Sequence, residues 1–366
     1  MLLLKLFTPL AFFISLHTIG VVILVFTNLM VCLLIFMLIY MYFRSKREKN
    51  QVNYKLISDL LIRKAVFYDG IMLPETLIPV TKRVKKLIDN RYFRNRLTDE
   101  LVVAKKNITG TSAENLKHLY QQLNLEQYAL KNLKSRYWHI KAKAIQELYL
   151  MELKEYEFEL YPFANDKNEL IRMEAQVALV QFNGFEGLLF LDDITYSISE
   201  WQQIKLLQKL SNLPPVHVSI DSWLKSSNIS VVIFALKLIR NYHRFELHDA
   251  VLQCLDHPDP EVRLQAINCF CEIYTDETSI HLISRFWREG LKHQLAIIKA
   301  LQNIGSENDN PFLLTLLHND NYEMKLYAAR ALAHSGKKGL ASLNDYGSYD
   351  NKLNDIIIQV KGELAA

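Results

Sequence analysis

Two patterns of apolar and polar positions organise this chain. The first is one long run near its start. From Ile19 to Phe43 no residue is charged and nearly all are large and apolar. About 20 such residues in a helix cover the hydrocarbon core of a bilayer, so the run predicts a membrane-crossing helix. A cleaved signal has an apolar core of roughly 7–15 residues and a small-residue cleavage site, and the run fits neither. We therefore expect a retained anchor within residues 1–43, with the span at 19–43 and Asn28 a tolerated amide inside it. Leu2–Leu16 is apolar but short, and Pro9 interrupts it. It reads as an interfacial segment or as the first arm of a membrane hairpin.

The second pattern is periodic. Ile140, Ile171, Gln202, Val231, Val262, His293 and Met324 follow one another at steps of 31, 31, 29, 31, 31 and 31 residues. Three residues before each stand Tyr137, Asn168, Ser199, Asn228, Asp259, Gly290 and Asn321. All but the tyrosine are favoured helix N-caps, whose role is to satisfy the orphan amides of a first turn. Four residues after each reference come Ala144, Ala175, Leu206, Ala235, Ala266, Ile297 and Ala328; eight after come Leu148, Leu179, Leu210, Ile239, Phe270, Leu301 and Leu332. Positions 0, +4 and +8 form one helical stripe, and the alanines suit a close approach of two backbones. A shorter apolar stretch precedes several of these helices: "AVLQCL", "SIHLISRFW" and "PFLLTLLH". Each unit thus reads as helix, polar turn, helix, and a period near 30 held over seven units marks an α-solenoid. The predicted fold class is all-α, an α-solenoid of seven helix pairs carrying an N-terminal transmembrane helix.

Residues 44–124 read as a helical juxtamembrane region that caps one end of the solenoid. "NYKLISDLLIRKAVFYD" continues from the membrane as an amphipathic helix, and Thr111 or Ser112 caps a later one. The solenoid proper is expected over 125–336. The remainder, 337–366, is expected to close it with the helix "KLNDIIIQVKGELAA", whose Leu353, Ile356, Ile357 and Val360 cover the last repeat.

The stretches "DHPDPEVRLQAINCF" and "HNDNYEMKLYAARALAHSG" resemble HEAT repeats of the short type found in bacterial phycobilin-lyase-like proteins. That pattern is an Asp-rich turn, then Val-Arg, two alanines three apart, Leu and a terminal Gly. Val262, Arg263 and Ala266 match it, as do Met324, Lys325, Ala328, Ala331, Leu332 and Gly336. Ile171, Arg172, Ala175, Ala178 and Leu179 also match, with Gly184 one place late. The units at Gln202 and Val231 lack the basic residue, having Gln203 and Val232. The resemblance covers Leu125 to Gly336 and implies the fold; for function it implies little. It suggests that the repeat cations Lys141, Arg172, Arg263 and Lys325 are structural ties to the turns. The chain also resembles membrane-anchored bacterial HEAT-repeat proteins that accompany envelope or polysaccharide machinery. That likeness makes a membrane glycosyltransferase or export component the expected class of protein partner.

Charge changes the picture because it is split. From Arg44 to Lys143 there are 22 Lys and Arg against 9 Asp and Glu, whereas from Ala144 onward there are 20 against 30. Arg44, Lys46, Arg47 and Lys49 follow the span directly, and the positive-inside rule then puts the body on the cytoplasmic side of the inner membrane. Lys82, Arg83, Lys85, Lys86, Arg91, Arg94 and Arg96 form a second basic run with Tyr92 and Phe93 among them. This run reads as a solvated helix face, as a surface drawn to anionic lipid, or as a nucleic-acid contact. The acidic distal part argues against nucleic acid.

Candidate chemistry adds little. No phosphate loop, dinucleotide fingerprint, nucleophile elbow or zinc-protease motif is present. The chain lacks the His-Glu dipeptides of di-iron deoxyhypusine hydroxylases, which are also HEAT proteins. His257 and His318 read as turn residues. The four cysteines, Cys32, Cys254, Cys269 and Cys271, read as small apolar fillers in a reducing compartment, the last three on helices. Trp138, Trp201, Trp223 and Trp287 read as core. No catalytic, cofactor-binding or metal-binding residue is nominated, and no cofactor is expected. The functional expectation is a non-enzymatic, membrane-anchored scaffold or adaptor. Its alternatives are an enzyme subunit of the bilin-lyase-like class and, behind that, a nucleic-acid binder through residues 44–143.

Overall fold

The computed structural model describes residues 16–68, 78–210, 219–347 and 351–365. The reading of the first fifteen residues as an interfacial segment or hairpin arm falls outside them. Among the described residues every regular element is helical. The chain divides into two compact units, Met1–Gln127 and Tyr128–Ala366.

The first unit is built on α1, Leu16–Val66, a single helix of 51 residues. The side chains of its apolar part, Val21 to Phe43, stand outward and exposed. One hydroxyl and one amide within it are satisfied locally: Thr27 Oγ1 and Asn28 Nδ2 both donate to the Leu24 carbonyl, at 3.0 and 2.9 Å. Past the basic cluster the same helix turns amphipathic. Ser58, Leu61 and Ala65, spaced three and four apart, are buried. They face α3, Arg91–Asn107, and α4, Thr111–Gln122, which pack on α1 and on each other. Phe93, Leu97 and Leu101 of α3 and Leu116, Leu119 and Tyr120 of α4 complete this core. A short helix, α2, Lys82–Leu87, precedes α3 and buries Val84. The start of α4 departs from expectation. Gly110, at φ +74, is the N-cap, and Thr111 is the first helical residue. Ser112 does not cap: its hydroxyl donates to the Val66 carbonyl at 2.8 Å and so closes the end of α1.

The second unit holds the solenoid, whose first pair is α5, Leu125–Leu133, which begins in the last residues of the first unit, and α6, Trp138–Leu150. Next come α7, Glu157–Leu160, flanked by 3-10 turns, and α8, Glu169–Asn183. A 3-10 segment, Gly184–Asp192, then serves as first helix to α9, Glu200–Lys209. The later pairs are α10, Ile220–Trp223, with α11, Ile229–Asn241; α12, His248–Cys254, with α13, Pro260–Cys269; and α14, Thr278–Arg285, with α15, Leu291–Ile304. They end with α16, Asn310–Leu316, and α17, Tyr322–His334. Two more helices follow: α18, Lys337–Gly347, and α19, Asn351–Ala365.

Every residue of the predicted cap column is the N-cap of its second helix. The turn before it repeats as well. The cap amide donates to the residue two before it at Ser135, Asp166, Ser226, His257 and Asn319, over 2.8–3.2 Å. His257 is therefore a turn residue, its Nδ1 accepting from Asp259 N at 3.1 Å. The stripe is buried along the solenoid except at its first position, where Ile140 is half-buried: the +4 column lies at 1% exposure or less throughout, and the +8 column reaches 9% only at Leu210. Second helices pack side by side, α6 on α8, α8 on α9, α11 on α13, α13 on α15 and α15 on α17. Cys271 differs from expectation, lying just past the end of α13 rather than on it. At the far end α18 and α19 both pack on α17. Leu353, Ile356, Ile357 and Val360 are buried there.

Candidate interaction surfaces

The polar side chains at the stripe positions hold neighbouring repeats in register. His293 Nε2 lies 2.7 Å from the Pro260 carbonyl, and Gln202 Nε2 donates to the Met173 carbonyl at 3.1 Å. Lys292 meets Glu261 at 3.3 Å, and Asn303 Nδ2 donates to the Cys271 carbonyl at 3.1 Å. Equivalent positions of adjacent second helices thus lie side by side, so those helices run parallel and their starts form one edge of the solenoid.

The repeat cations fall into two sorts. The arginines tie the turns. Arg172 Nη1 donates to the carbonyls of Asp166 and Lys167 at 2.8 and 3.0 Å. Arg263 Nη1 does the same to His257 and Pro258 at 3.0 and 3.1 Å, and its other nitrogens reach the buried Glu289 of the next repeat at 2.9 and 3.3 Å. The lysines lack the guanidinium fork that makes such paired bonds. Lys141 sits over the Phe163 ring at 5.4 Å, and Lys325 is half-buried without a recorded partner among the described residues.

The basic positions of the first unit also divide. Arg44 pairs with Glu48 at 3.1 Å on α1, and Lys46, Arg47 and Lys49 lie exposed beside it. Lys82, Arg83, Lys85 and Lys86 are exposed on α2, and Arg91 is exposed at the start of α3. Arg94 and Arg96 are engaged elsewhere. Arg96 bonds Glu100 at 2.9 Å, while Arg94 Nη1 donates to the Ile88 carbonyl at 2.9 Å. Arg94 stands four residues after the Asn90 cap and reaches six residues back, which is the geometry of Arg172 and Arg263. The α2–α3 pair thus repeats the solenoid's turn in the first unit. The sequence held that signal, in an Asn cap followed four residues later by Arg. Its spacing of 47 residues from Ile140 placed it off the period.

The tryptophans correct the sequence reading. Trp223 is buried, with its indole N–H donating to Asp192 at 2.7 Å. Trp138, Trp201 and Trp287 are not core residues: they are 48%, 61% and 66% exposed. Trp138 and Trp201 stand at the first or second position of their helices, ahead of the buried stripe. Leu170, Ile229, Leu291 and Tyr322 occupy corresponding places and are similarly exposed. A row of large apolar side chains thus follows the edge formed by the starts of the second helices. Pro260 and Glu261 interrupt it at the α13 unit. Isolated exposed apolar residues are ordinary, but a row of them is characteristic of a binding surface.

Burial pushes the Cys254 thiol up to about 11 and the Cys269 thiol to about 12, and raises Cys271 as well. Thiols so shifted stay protonated and inert at neutral pH. Tyr161 is raised to about 12 by burial and by its 3.0 Å bond to Asp193. Among the described residues no three His, Cys, Asp or Glu side chains cluster as metal ligands.

Comparison with known proteins agrees with the helix-pair geometry. Residues 249–276, which hold α13 and all but the first residue of α12, match the HEAT repeat family model. The chain carries a HEAT repeat. A relative from Pseudanabaena tenuis, named an uncharacterized phycocyanin operon protein Z, is 32% identical over 85 residues. The match takes in 23% of this chain and 42% of that relative, so the chain spans about two-fifths of the relative's length. Among solved structures, the complex of Kap95p with RanGDP is 13% identical, covering 83% of this chain and 45% of that one at a TM-score of 0.39. A designed armadillo repeat protein is 16% identical, covering 57% and 99% at 0.32. The CpcE–CpcF complex of phycocyanin lyase from Nostoc sp. is 10% identical, covering 80% and 99% at 0.27. At such TM-scores these structural likenesses carry no argument about function. The HEAT reading rests on the matched repeat and on the cap columns, buried stripes and turn bonds of the solenoid itself.

Proposed function

We propose that this HEAT-repeat protein is a membrane-anchored scaffold that docks a partner protein along the exposed edge of its solenoid. The observation that carries the reading is the apolar row Trp138, Leu170, Trp201, Ile229, Leu291 and Tyr322. Burying such side chains at an interface contributes most where aromatic anchors enter a partner's pockets, and Trp and Tyr are the residues enriched at such positions. The anchor is α1. Its Val21–Phe43 part is uncharged, exposed, and long enough to cross a bilayer. It is followed at once by Arg44, Lys46, Arg47 and Lys49, which favour a cytoplasmic body.

The test is to replace Trp138 and Trp201 together by serine in the full-length chain and to recover protein complexes from native membranes. The proposal expects the variant to remain folded and membrane-bound while losing a protein that the parent chain retains in stoichiometric amount. An identical set of co-purifying proteins would contradict it.

A second reading is favoured by the relative from a phycocyanin operon, and it makes the chain an enzyme subunit of the bilin-lyase kind. It expects a tetrapyrrole to travel with the purified protein as visible absorbance. A spectrum confined to the ultraviolet, from protein expressed alongside bilin, would remove it.

A further inference from the structure

Within the first unit, a cleft of about 680 Å³ opens between α1 and the start of α3. On the α1 side it is lined by Phe43, Lys46, Arg47, Asn50, Gln51 and Tyr54, and Asn90 and Tyr92 close the other side. The α1 residues recur every three or four places and so share one helix face. The far wall is held firmly. Asn90 Oδ1 accepts from the amides of Tyr92 and Phe93 at 2.9 and 3.3 Å, and Tyr54 packs on Tyr92 and Phe93 at ring distances of 6.1 and 5.4 Å. Phe93 is buried, so the aromatic wall is anchored in the core of the unit.

The chemistry of the lining is one-sided. It carries two cations, three side-chain amides and two phenols, and no carboxylate. The nearby acid on α1, Glu48, is taken by Arg44 at 3.1 Å. Lys46 and Arg47 have no recorded acidic partner among the described residues, and Asn50 and Gln51 have no recorded hydrogen bond there. Such a set can neutralise one or two negative charges while its amides and hydroxyls donate to the remaining oxygens, which is the requirement of a phosphate group. Its volume lies in the range of ordinary small-ligand sites, roughly 300–1,000 Å³.

Its position selects the source of that phosphate. Phe43 ends the uncharged run, and Lys46 and Arg47 follow three and four residues later, about 5 Å farther along the helix axis. The headgroup layer beyond the hydrocarbon is about 5–8 Å deep on each side. The two cations therefore lie at headgroup depth, with the amides and tyrosines of the cleft on its watery side. We infer that the cleft formed by Lys46, Arg47, Asn50, Gln51 and Tyr92 is a binding site for the phosphate headgroup of an anionic phospholipid of the inner leaflet. The inference rests on the reading of α1 as an anchor. It goes beyond it by giving the juxtamembrane segment a defined lipid site instead of a diffuse attraction to charge.

The experiment uses the full-length chain in nanodiscs containing equal amounts of phosphatidylglycerol and phosphatidylcholine, with retained lipid counted by native mass spectrometry. Three variants are compared: Lys46→Gln with Arg47→Gln, Tyr92→Ala, and Lys85→Gln with Lys86→Gln. The last removes the same charge from α2, outside the cleft. The parent chain and the α2 variant are expected to retain phosphatidylglycerol selectively. Both cleft variants are expected to lose at least tenfold of that retention, Tyr92→Ala without any change of charge. Equal loss in the cleft and α2 variants, or no preference over phosphatidylcholine in the parent chain, would overturn the site. In a parallel arm, inorganic phosphate and glycerol phosphate are offered in pure phosphatidylcholine discs. Saturable binding there that displaces phosphatidylglycerol at equal concentration would also overturn the assignment, by giving the cleft to a soluble phosphate. Alkaline extraction of membranes reads the anchor separately: a chain that resists extraction yet shows no lipid preference loses only this inference, and a chain that is extracted loses the anchor.

Discussion

Arg263 bonds two carbonyls of the turn before its own helix and, across the repeat boundary, the carboxylate of Glu289. Arg285 also reaches Glu289, at 3.7 Å, and pairs with Asp256. Glu289 is 5% exposed at its side chain, so removing its main partner leaves a nearly buried charge with one distant cation. Arg263→Ala should cost about 2–3 kcal/mol, short of the full loss of a buried pair because Arg285 remains. Arg263→Lys should recover little of it, since lysine cannot make the forked bonds. Denaturant unfolding of the detergent-solubilised chain measures both, and an effect within about 0.5 kcal/mol would mean the tie is incidental. Gly187 is the converse case, a residue needed for its lack of a side chain. A Cβ there would lie 2.2 Å from the Leu179 carbonyl oxygen. Gly187→Ala should therefore lower the melting temperature clearly, by an overpacking cost of about 1–3 kcal/mol or more.

At the scale of helices, α19 is held to α17 by a buried apolar seam and by one exposed ion pair. Arg330 Nη2 lies 2.6 Å from Glu363, and that bond, with help from Gln359, lowers the Glu363 carboxyl from its ordinary 4.5 to about 2. A carboxyl with a depressed folded-state value stabilises above its unfolded value and loses that contribution as pH falls toward the folded one. The melting temperatures of the parent chain and of Glu363→Gln should therefore differ at pH 6 and converge as pH falls from about 4.5 toward 2. The difference should be small, because the pair faces solvent. A gap that stays constant over that range would rule out the ion pair as its source.

The second helices were legible in the sequence because five of the seven carry two independent signals, an Asn, Asp or Ser cap and an apolar stripe in fixed register, and the other two, capped by Tyr137 and Gly290, keep the register. The first helices were less so. Gly184–Asp192 is nearly all apolar and so has no face to read, and it folds as a 3-10 segment. Trp138 and Trp201 were misread because a large ring near a helix start looks like core by composition. Position decides it: they precede the first stripe residue by one or two places, which turns them to solvent. Arg94 was missed as a turn tie because its helix pair lies off the repeat period.

For the whole molecule, the proposed function separates anchoring by α1 from partner recognition by the solenoid edge. These separate by mutation. Trp201→Ser should change stability by no more than about 0.5 kcal/mol, as surface substitutions do, while weakening partner docking by tenfold or more. Circular-dichroism melting and a pull-down from the same membrane extract read the two effects together. The most direct measurement is site-specific photocrosslinking in living cells, with a photoreactive residue placed in turn at Trp138, Leu170, Trp201 and Leu291. Control sites at the exposed Glu155 and Ile280 lie off the row. A partner docked along the row should give one discrete protein adduct shared by the row positions and absent from the controls. Adducts of equal yield and identity at the row and the controls, or none at any row position, would contradict it.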